Sequence, residues 1–373
     1  PWGEAINYDH DGSHQVRAFV IDSALRWLRD FHIDALRLDA IHEIKDDAAA
    51  AATPQRHVLA ELSDAVAALS IELGRPLSLV AEADLNDVGV ITPTSEEPPA
   101  KVPSLGMTAQ WADDVHHALH VRLTGEDQGY YGDFAEVGAW AKAYGRAFLH
   151  NGTWSTFRER NWGAPVPEDT DPRRFVVFGS DHDQVGNRAV GDRPSVILDD
   201  AALAATAALV LLSPYTPMLF MGEEWGTRTP FQFFTDHEED DLARSVSEGR
   251  VREFAGFGWD ADEIPDPQAA ATVEASRLRW SELDEAEHAR VLAWYQALTT
   301  LRRNLDWSQR TAWPQVDEID DVLMVTYDDI VVAANLSGQE RPAPALTTVL
   351  LSWDPFDAAA PSLSPGQTLI ARR

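Results

Sequence analysis

Short apolar segments that end in acidic residues alternate with helical patterns along most of the sequence. The first such segment is residues 33–38, which precede Asp39, and the second is residues 76–81, which precede Glu82. Apolar segments without polar alternation predict strands buried on both faces, and helices between strands predict a parallel sheet. Further strands are predicted at residues 107–111, 175–178 and 218–221. The sequence therefore predicts an α/β fold of the barrel type, with helices outside the sheet.

A change of pattern near residue 310 predicts a second, smaller domain. Helices are predicted at residues 14–31, 55–73, 134–149, 201–212 and 286–301. Beyond them, residues 322–326, 330–334 and 347–351 are short and rich in β-branched residues, with Asp, Gly and Pro between them. These segments predict an antiparallel β domain over residues 310–373, after a barrel domain over residues 1–309.

The charge and the absence of cysteine exclude several classes of function. The formal net charge is −31, which argues against binding to nucleic acid or to anionic membranes and suits a neutral substrate. With no cysteine in the sequence, disulfides, thiol catalysis and cysteine metal sites are excluded. We expect no cofactor and no metal, and a cytoplasmic location.

Three carboxylates lie just after predicted strands, at Asp39, Glu82 and Asp183. The carboxyl ends of barrel strands meet at one mouth, so these groups are expected to converge. Glycoside cleavage uses one ionised carboxylate to attack the anomeric carbon and one protonated carboxyl to protonate the leaving oxygen. Arg37 lies on the same side of its strand as Asp39 and favours the ionised form there. The alternative is a purely structural Arg37–Asp39 ion pair.

Three segments, in this order, resemble conserved regions of the α-amylase superfamily of glycoside hydrolases. They are residues 36–40, 80–84 and 181–184. The resemblance implies that Asp39 is the nucleophile, Glu82 the acid/base and Asp183 the stabiliser of the transition state. It also implies that His182 donates a hydrogen bond to the reacting sugar.

Further segments resemble one family of that superfamily, the maltooligosyltrehalose trehalohydrolases. They are residues 1–3, 6–9, 109–120, 182–188, 217–225 and 233–237. The resemblance implies hydrolysis of the α-1,4-glucosidic bond next to the trehalose end, with release of trehalose. The implied substrate is an α-glucan oligosaccharide with a terminal trehalose unit. A branching or debranching enzyme of the same superfamily and a non-catalytic glucan-binding fragment remain alternatives.

The sequence departs from the superfamily pattern in two respects. Asp181 stands where the superfamily commonly has Asn, which alters hydrogen bonding near the acid/base. The first conserved region, with its substrate-binding Asp and His, would lie upstream of Pro1. By resemblance we therefore expect about strands four to eight of an eight-stranded barrel, with a separate N-terminal segment as a partner that supplies the first strands.

Other polar and aromatic residues near the strand ends are candidates for substrate binding. The full set is Arg37, His42, Glu43, Trp111, Asp113, Asp114, His117, His182, Gln184 and Trp225. For Trp111 and Trp225, stacking on a sugar and packing at the barrel rim are equally open. A metal site at residues 113–120 is a weaker alternative, because the segment lacks cysteine and a glutamate-assisted histidine pair.

Overall fold

Two β-sheets, one parallel and one antiparallel, organise the protein. The computed structural model describes residues 5–47, 56–99, 101–255 and 263–373. The family-like segment at residues 1–3 and the predicted helix start at residue 55 lie outside these ranges. In chain order the strands are β1 (Ala35–Leu38), β2 (Ser78–Ala81), β3 (Ala109–Trp111), β4 (Thr153–Ser155), β5 (Arg160–Trp162), β6 (Phe175–Phe178), β7 (Thr216–Met218), β8 (Gln315–Ile319), β9 (Val322–Tyr327), β10 (Ile330–Asn335), β11 (Arg341–Pro342), β12 (Thr348–Ser352), β13 (Ser362–Leu363) and β14 (Thr368–Arg372).

Helices separate the parallel strands and continue to the start of the antiparallel sheet. The α-helices are α1 (Ser13–Asp30), α2 (Val58–Leu73), α3 (Asp113–Thr124), α4 (Ala139–Arg146), α5 (His182–Gly186), α6 (Pro194–Ile197), α7 (Asp200–Leu211), α8 (Asp240–Ala255), α9 (Ala270–Ala275) and α10 (Ala286–Asn304). Short 3₁₀ helices include Ile41–Glu43 and Glu223–Trp225. Among the described residues, none of the helices combines the length and the apolar character that a membrane span requires.

The parallel sheet has the strand order β1-β2-β3-β6-β7. All four residues of β6 are buried, and their side chains alternate between two apolar clusters. Phe175 and Val177 belong to the large core that the helices share. Val176 and Phe178 pack with Trp111 on the other face, which is the side of a barrel interior. The predicted parallel α/β arrangement is confirmed.

Two of the predicted parallel strands differ from the expectation. The fifth strand ends at Met218, and the chain turns at Gly222, where φ is 89° and an added Cβ would lie 2.5 Å from Thr227. That tight turn ends the strand before residues 219–221 can extend it. The expectation that β1 is buried on both faces is wrong: Ala35 and Arg37 are exposed. In the described part of the chain β1 is an outer strand, hydrogen-bonded only to β2.

The antiparallel sheet has the order β12-β14-β10-β9-β8 and begins at Gln315. Its central strand β10 is buried along its whole length. The sheet contacts the helices of the parallel part, where the Tyr327 hydroxyl donates to the Tyr144 hydroxyl at 3.0 Å and Arg122 pairs with Asp321 at 2.6 Å. A C-terminal antiparallel β region is therefore confirmed, and the domain boundary near residue 310 remains a prediction.

Candidate active site

Arg37 links the two carboxylates that the sequence predicts as nucleophile and acid/base. Its Nη1 lies 2.7 Å from Asp39 Oδ1, and its Nη2 lies 3.9 Å from Glu82 Oε2. The Glu82 carboxylate also accepts a hydrogen bond from the backbone N–H of Ala40 at 2.5 Å. Parallel pairing of β1 with β2 brings these groups together, because it sets Arg37 opposite Val80, two residues before Glu82. The arrangement gives two carboxylates across one guanidinium at the strand ends.

The two carboxylates differ in exposure. The side chain of Asp39 is 76% exposed, whereas that of Glu82 is 15% exposed. Trp111 lies beneath the guanidinium, with the Arg37 Cζ 4.4 Å from its ring centroid. One face of Trp111 is therefore covered by Arg37, and the residue is 6% exposed. For Trp111 the structure favours the packing alternative that the sequence left open.

The segment after β6 presents His182 and Asp183 to the same side of the sheet. His182 Nε2 lies 3.6 Å from Asp183 Oδ2, and both side chains are about half exposed. The His182 ring meets Trp111 edge to face at a centroid distance of 6.4 Å, which joins this segment to the Arg37 group. His182 and Asp183 thus lie on the same side of the sheet as the Arg37 group, with about half of each side chain open to solvent.

Asp181, at the departure from the superfamily pattern, serves as the N-cap of α5. Its Oδ1 accepts hydrogen bonds from the backbone N–H groups of Asp183 at 2.8 Å and Gln184 at 3.1 Å. Turned with its nitrogen toward that carboxylate, the Gln184 amide donates to Asp181 Oδ2 at 3.0 Å. Burial raises the pKa of Asp181, and these backbone hydrogen bonds oppose the rise. Gln184, predicted as a substrate contact, is placed here as support for the cap.

Two adjacent aspartates after β3 have different environments. Asp114 accepts hydrogen bonds from Asn86 Nδ2 at 2.8 Å and from the backbone N–H groups of Leu149 and His150 at 2.7 and 3.1 Å. Asp113 Oδ1 is buried and has no partner among the described residues. Burial raises the pKa of Asp113 well above its ordinary value, and Asp181 and Glu82 raise it further. Asp114 is therefore held by hydrogen bonds within the fold, whereas the buried carboxyl of Asp113 lies close enough to Asp181 and Glu82 for their charges to raise its pKa.

The histidines of α3 line an aromatic pocket behind the strand ends. His117 lies among Tyr130, Tyr131 and Phe134 at centroid distances of 5.0 to 5.4 Å, and burial lowers its pKa to about 3. His116 Nδ1 donates to the Gly179 carbonyl at 2.9 Å. Within the described residues, groups with converging ligand atoms occur at residues 181–183 and at residues 285–288, not on α3. The geometry gives no support to a metal site on α3.

The remaining predicted contacts lie at the rim and in the interior. His42 and Glu43 lie in the 3₁₀ helix after β1, with 4.0 Å between His42 Nε2 and Glu43 Oε1. Trp225 is 2% exposed, packs on Trp280 at 5.2 Å between ring centroids, and donates its Nε1–H to Glu282 at 3.2 Å. His42 and Glu43 follow Asp39 by three and four residues in the chain, and for Trp225 the structure favours packing.

Glu223 is a further acidic residue of this region, and it is not among the site residues predicted from the sequence. It follows β7 in the 3₁₀ turn Glu223–Trp225, and its Oε2 lies 3.4 Å from the Ser180 hydroxyl, next to Asp181. The sequence does contain a signal for Glu223. The apolar segment 218–221 is followed closely by an acidic residue, as are the segments before Asp39 and Glu82.

A parallel sheet with acidic groups at its strand ends, followed by an antiparallel sheet, is the architecture of the α-amylase family. A crystal structure of a Salmonella typhimurium protein, provisionally described as an α-amylase, is 34% identical and superposes with a TM-score of 0.85 over 100% of this chain and 62% of that one. The sequence matches no family model.

The relatives that match most of the sequence are malto-oligosyltrehalose trehalohydrolases. A malto-oligosyltrehalose trehalohydrolase from Arthrobacter ramosus is 46% identical over 99% of this chain and 63% of its own length. Another from Mycobacterium tuberculosis is 45% identical over 95% of this chain and 60% of its own length. The chain spans about three fifths of the length of these relatives. It is homologous to the malto-oligosyltrehalose trehalohydrolases along nearly all of its own length, and the resemblance inferred from its motifs is confirmed.

Proposed function

We propose that the chain is the catalytic part of a retaining glycoside hydrolase that cleaves the α-1,4-glucosidic bond next to the trehalose end of maltooligosyltrehalose. The observation that carries the proposal is the Arg37-linked pair of Asp39 and Glu82 in a chain 46% identical to a malto-oligosyltrehalose trehalohydrolase. The product is trehalose, released together with the shortened maltooligosaccharide.

Each carboxylate takes one role in this mechanism. Arg37 holds the ionised Asp39 so that it attacks the anomeric carbon, while Glu82 gives a proton to the leaving glycosidic oxygen. Glu82 then takes a proton from the water that hydrolyses the glycosyl–Asp39 ester, so the configuration is retained. Asp183 stabilises the positive charge that develops on the sugar ring, and His182 donates to a sugar hydroxyl. We expect the Asp39 and Glu82 carboxyl groups to lie about 5–5.5 Å apart, as in retaining enzymes.

The proposal includes a partner segment that closes the barrel between β7 and β1. In the described part of the chain both outer strands have exposed apolar neighbours. Phe19 and Trp27 of α1 and Phe31 at its C-cap are 51 to 75% exposed, and Leu219 and Met221 after β7 are 41 and 46% exposed. Barrel strands gain two hydrogen-bonded neighbours only on closure, and exposed apolar patches mark surfaces that another segment covers. These features support an α/β barrel whose first strands come from a segment outside residues 1–373.

Product analysis on two substrates of equal length tests the proposal. The completed enzyme is residues 1–373 together with the proposed partner segment. It should cut maltosyltrehalose much faster than maltotetraose and release trehalose, with Asp39→Asn as the inactive control. Comparable rates on both substrates, or the formation of branches, would assign the chain to the other glucan-active enzymes. Binding without turnover would favour the glucan-binding alternative. The cytoplasmic location stays a prediction that cell fractionation tests.

A further inference from the structure

The indole ring of Trp111 lies between the two halves of the candidate active site. Strand β3 ends at Trp111, and it lies between β2, which leads to Glu82, and β6, which leads to His182 and Asp183. The Arg37 Cζ lies 4.4 Å from the Trp111 ring centroid, and the His182 ring meets the indole edge to face at 6.4 Å. Trp111 therefore contacts both the arginine that links the two predicted catalytic carboxylates and the segment that carries the predicted stabiliser.

Packing on the inner face of the parallel sheet holds the Trp111 ring in place. Trp111 is buried in an apolar cluster with Val176 and Phe178, and Val80 and Met218 pack against this cluster. Phe178 is fully buried and meets the indole edge to face, with 5.4 Å between the ring centroids. Close packing of this kind holds a side chain in one rotamer. The indole therefore presents a fixed aromatic plane to the guanidinium above it.

The guanidinium of Arg37 is held less firmly by its two carboxylates. Its ion pairs join Nη1 to one oxygen of Asp39 at 2.7 Å and Nη2 to one oxygen of Glu82 at 3.9 Å, and the Asp39 side chain is 76% exposed. A paired charge attracts a guanidinium without fixing its plane, whereas stacking on an aromatic face does fix it. Trp111 is thus the contact that sets the plane of the Arg37 guanidinium.

We propose that Trp111 is a positioning residue for the reaction proposed above, on which this inference rests. The indole keeps the guanidinium of Arg37 in the orientation in which Nη1 faces Asp39 and Nη2 faces Glu82. Without the indole, the long Arg37 side chain turns toward solvent, and Asp39 loses the ion pair that orients it. In this role Trp111 acts through Arg37 and contacts neither the substrate nor the reacting atoms.

NMR of the residues 1–373 chain tests the contact without any need for turnover. Arginine is labelled with ¹³C and ¹⁵N, and the side-chain signals of Arg37 are assigned from their absence in Arg37→Lys. Protons above an aromatic face are shifted upfield, so we expect upfield signals for the Arg37 side chain in the wild type. Trp111→Leu should return these signals to ordinary positions. Unshifted Arg37 signals in the wild type would overturn the proposal.

Two further variants separate the Trp111–Arg37 contact from general packing. Phe178→Leu is the matched control, because it also removes a buried ring from the same apolar cluster. It should lower the urea midpoint and leave the Arg37 signals upfield, and an equal loss of the upfield shift in Phe178→Leu and Trp111→Leu would overturn the proposal. If Trp111→Leu folds poorly, Trp111→Phe decides the matter. Its smaller ring should reduce the upfield shift, and an unchanged shift would show that Trp111 is not its source.

Kinetics of the completed enzyme separate positioning from contact with the substrate. Trp111→Leu should lower kcat for maltosyltrehalose on the order of 100-fold with little change in KM, because a small displacement of a reacting group has an effect of that size. Trp111→Phe keeps an aromatic face and should recover most of the loss, and Phe178→Leu should keep a kcat near that of the wild type. A raised KM with normal kcat in Trp111→Leu would make Trp111 a direct sugar contact and overturn the proposal. If the completed enzyme releases no trehalose, the proposed function fails, while the NMR signals still decide whether Trp111 holds Arg37.

Discussion

The two sheets differ in how completely the described residues cover them. Each of residues 330–334 in β10 is at most 1% exposed, and Asn335 is fully buried, between β9 and β14. Strand β1 has no buried residue and a single hydrogen-bonded neighbour in the described part. Yet β1 carries Arg37 and leads directly to Asp39. One carboxylate of the proposed catalytic pair therefore directly follows an exposed outer strand, whereas the central strand of the antiparallel sheet is fully buried.

This difference separates what stabilises the chain from what the proposed catalysis requires. The antiparallel sheet and the centre of the parallel sheet are held by contacts within the chain. The Asp39 side chain, by contrast, depends on one guanidinium and is otherwise open to solvent. The contrast leads to four predictions, of which the first has the largest expected effect.

Covering β1 should have the largest effect on activity. We expect the residues 1–373 chain alone to release almost no trehalose from maltosyltrehalose. Adding the part of the Arthrobacter ramosus relative that this chain does not match should raise the rate on the order of 10⁴-fold or more, because positioning of reacting groups contributes several kcal/mol. A coupled assay of released trehalose measures the rate. Full activity of the chain alone would contradict the view that activity requires a further segment packed against β1.

Removing the proposed nucleophile, Asp39, should have the next largest effect on activity. In the completed enzyme, Asp39→Asn should lower kcat by roughly 10³-fold or more while the unfolding midpoint stays unchanged. The matched control is Asp34→Asn, because Asp34 is also exposed and paired with an arginine, Arg75, but lies before β1. Near-normal turnover of Asp39→Asn would make the Arg37–Asp39 pair purely structural.

The strand ends are the part of this site that local sequence can predict. An apolar segment followed by a carboxylate is a local pattern, so the amino-acid order alone places Asp39, Glu82 and the segment around Asp183 at strand ends. Packing partners distant in sequence cannot be read in this way. Trp225 is buried by Trp280 and Glu282, which lie more than fifty residues further on, and Glu223 meets Tyr295 of α10.

The exposure of β1 escapes sequence reasoning for a related physical reason. Residues 33–38 have the composition of a buried strand, and composition reports the environment that a segment requires rather than the one that these residues supply. The apolar side chains before β1 follow the same rule, since Phe19 and Trp27 of α1 and Phe31 at its C-cap remain exposed. The mismatch between composition and burial is what locates the surface for the proposed partner segment.

Truncation of one apolar side chain in each sheet should sharpen the comparison. Ile330→Ala in β10 should lower the free energy of unfolding by about 2–5 kcal/mol, because Ile330 is fully buried. Leu36→Ala in β1 should cost clearly less, since Leu36 is only partly buried. Urea unfolding of both variants measures the two losses in the free energy of unfolding. The difference between these losses should shrink when the partner segment covers β1. Equal losses in the chain alone would contradict the uneven packing.

Removing the charge of Glu126, which lies just after α3 in a partly exposed ion pair, should have the smallest effect on stability. Glu126 forms a two-armed pair with Arg188 at 2.8 and 3.0 Å and accepts from His120 at 2.8 Å. Hydrogen bonding to Arg188 is the largest cause that lowers the pKa of Glu126, to about 2 from its ordinary 4.5. The pair therefore stabilises the fold fully above about pH 4.5, and this contribution is lost as the pH falls through about 2. At pH 7 Glu126→Gln should cost about 1 kcal/mol or less, because solvent screens the pair. Urea unfolding at pH 7 and pH 3 measures the free energy of unfolding of the wild type and of Glu126→Gln. The two free energies should converge as the pH is lowered. A gap that stayed constant down to pH 2 would mean that Glu126 acts through packing and not through its charge.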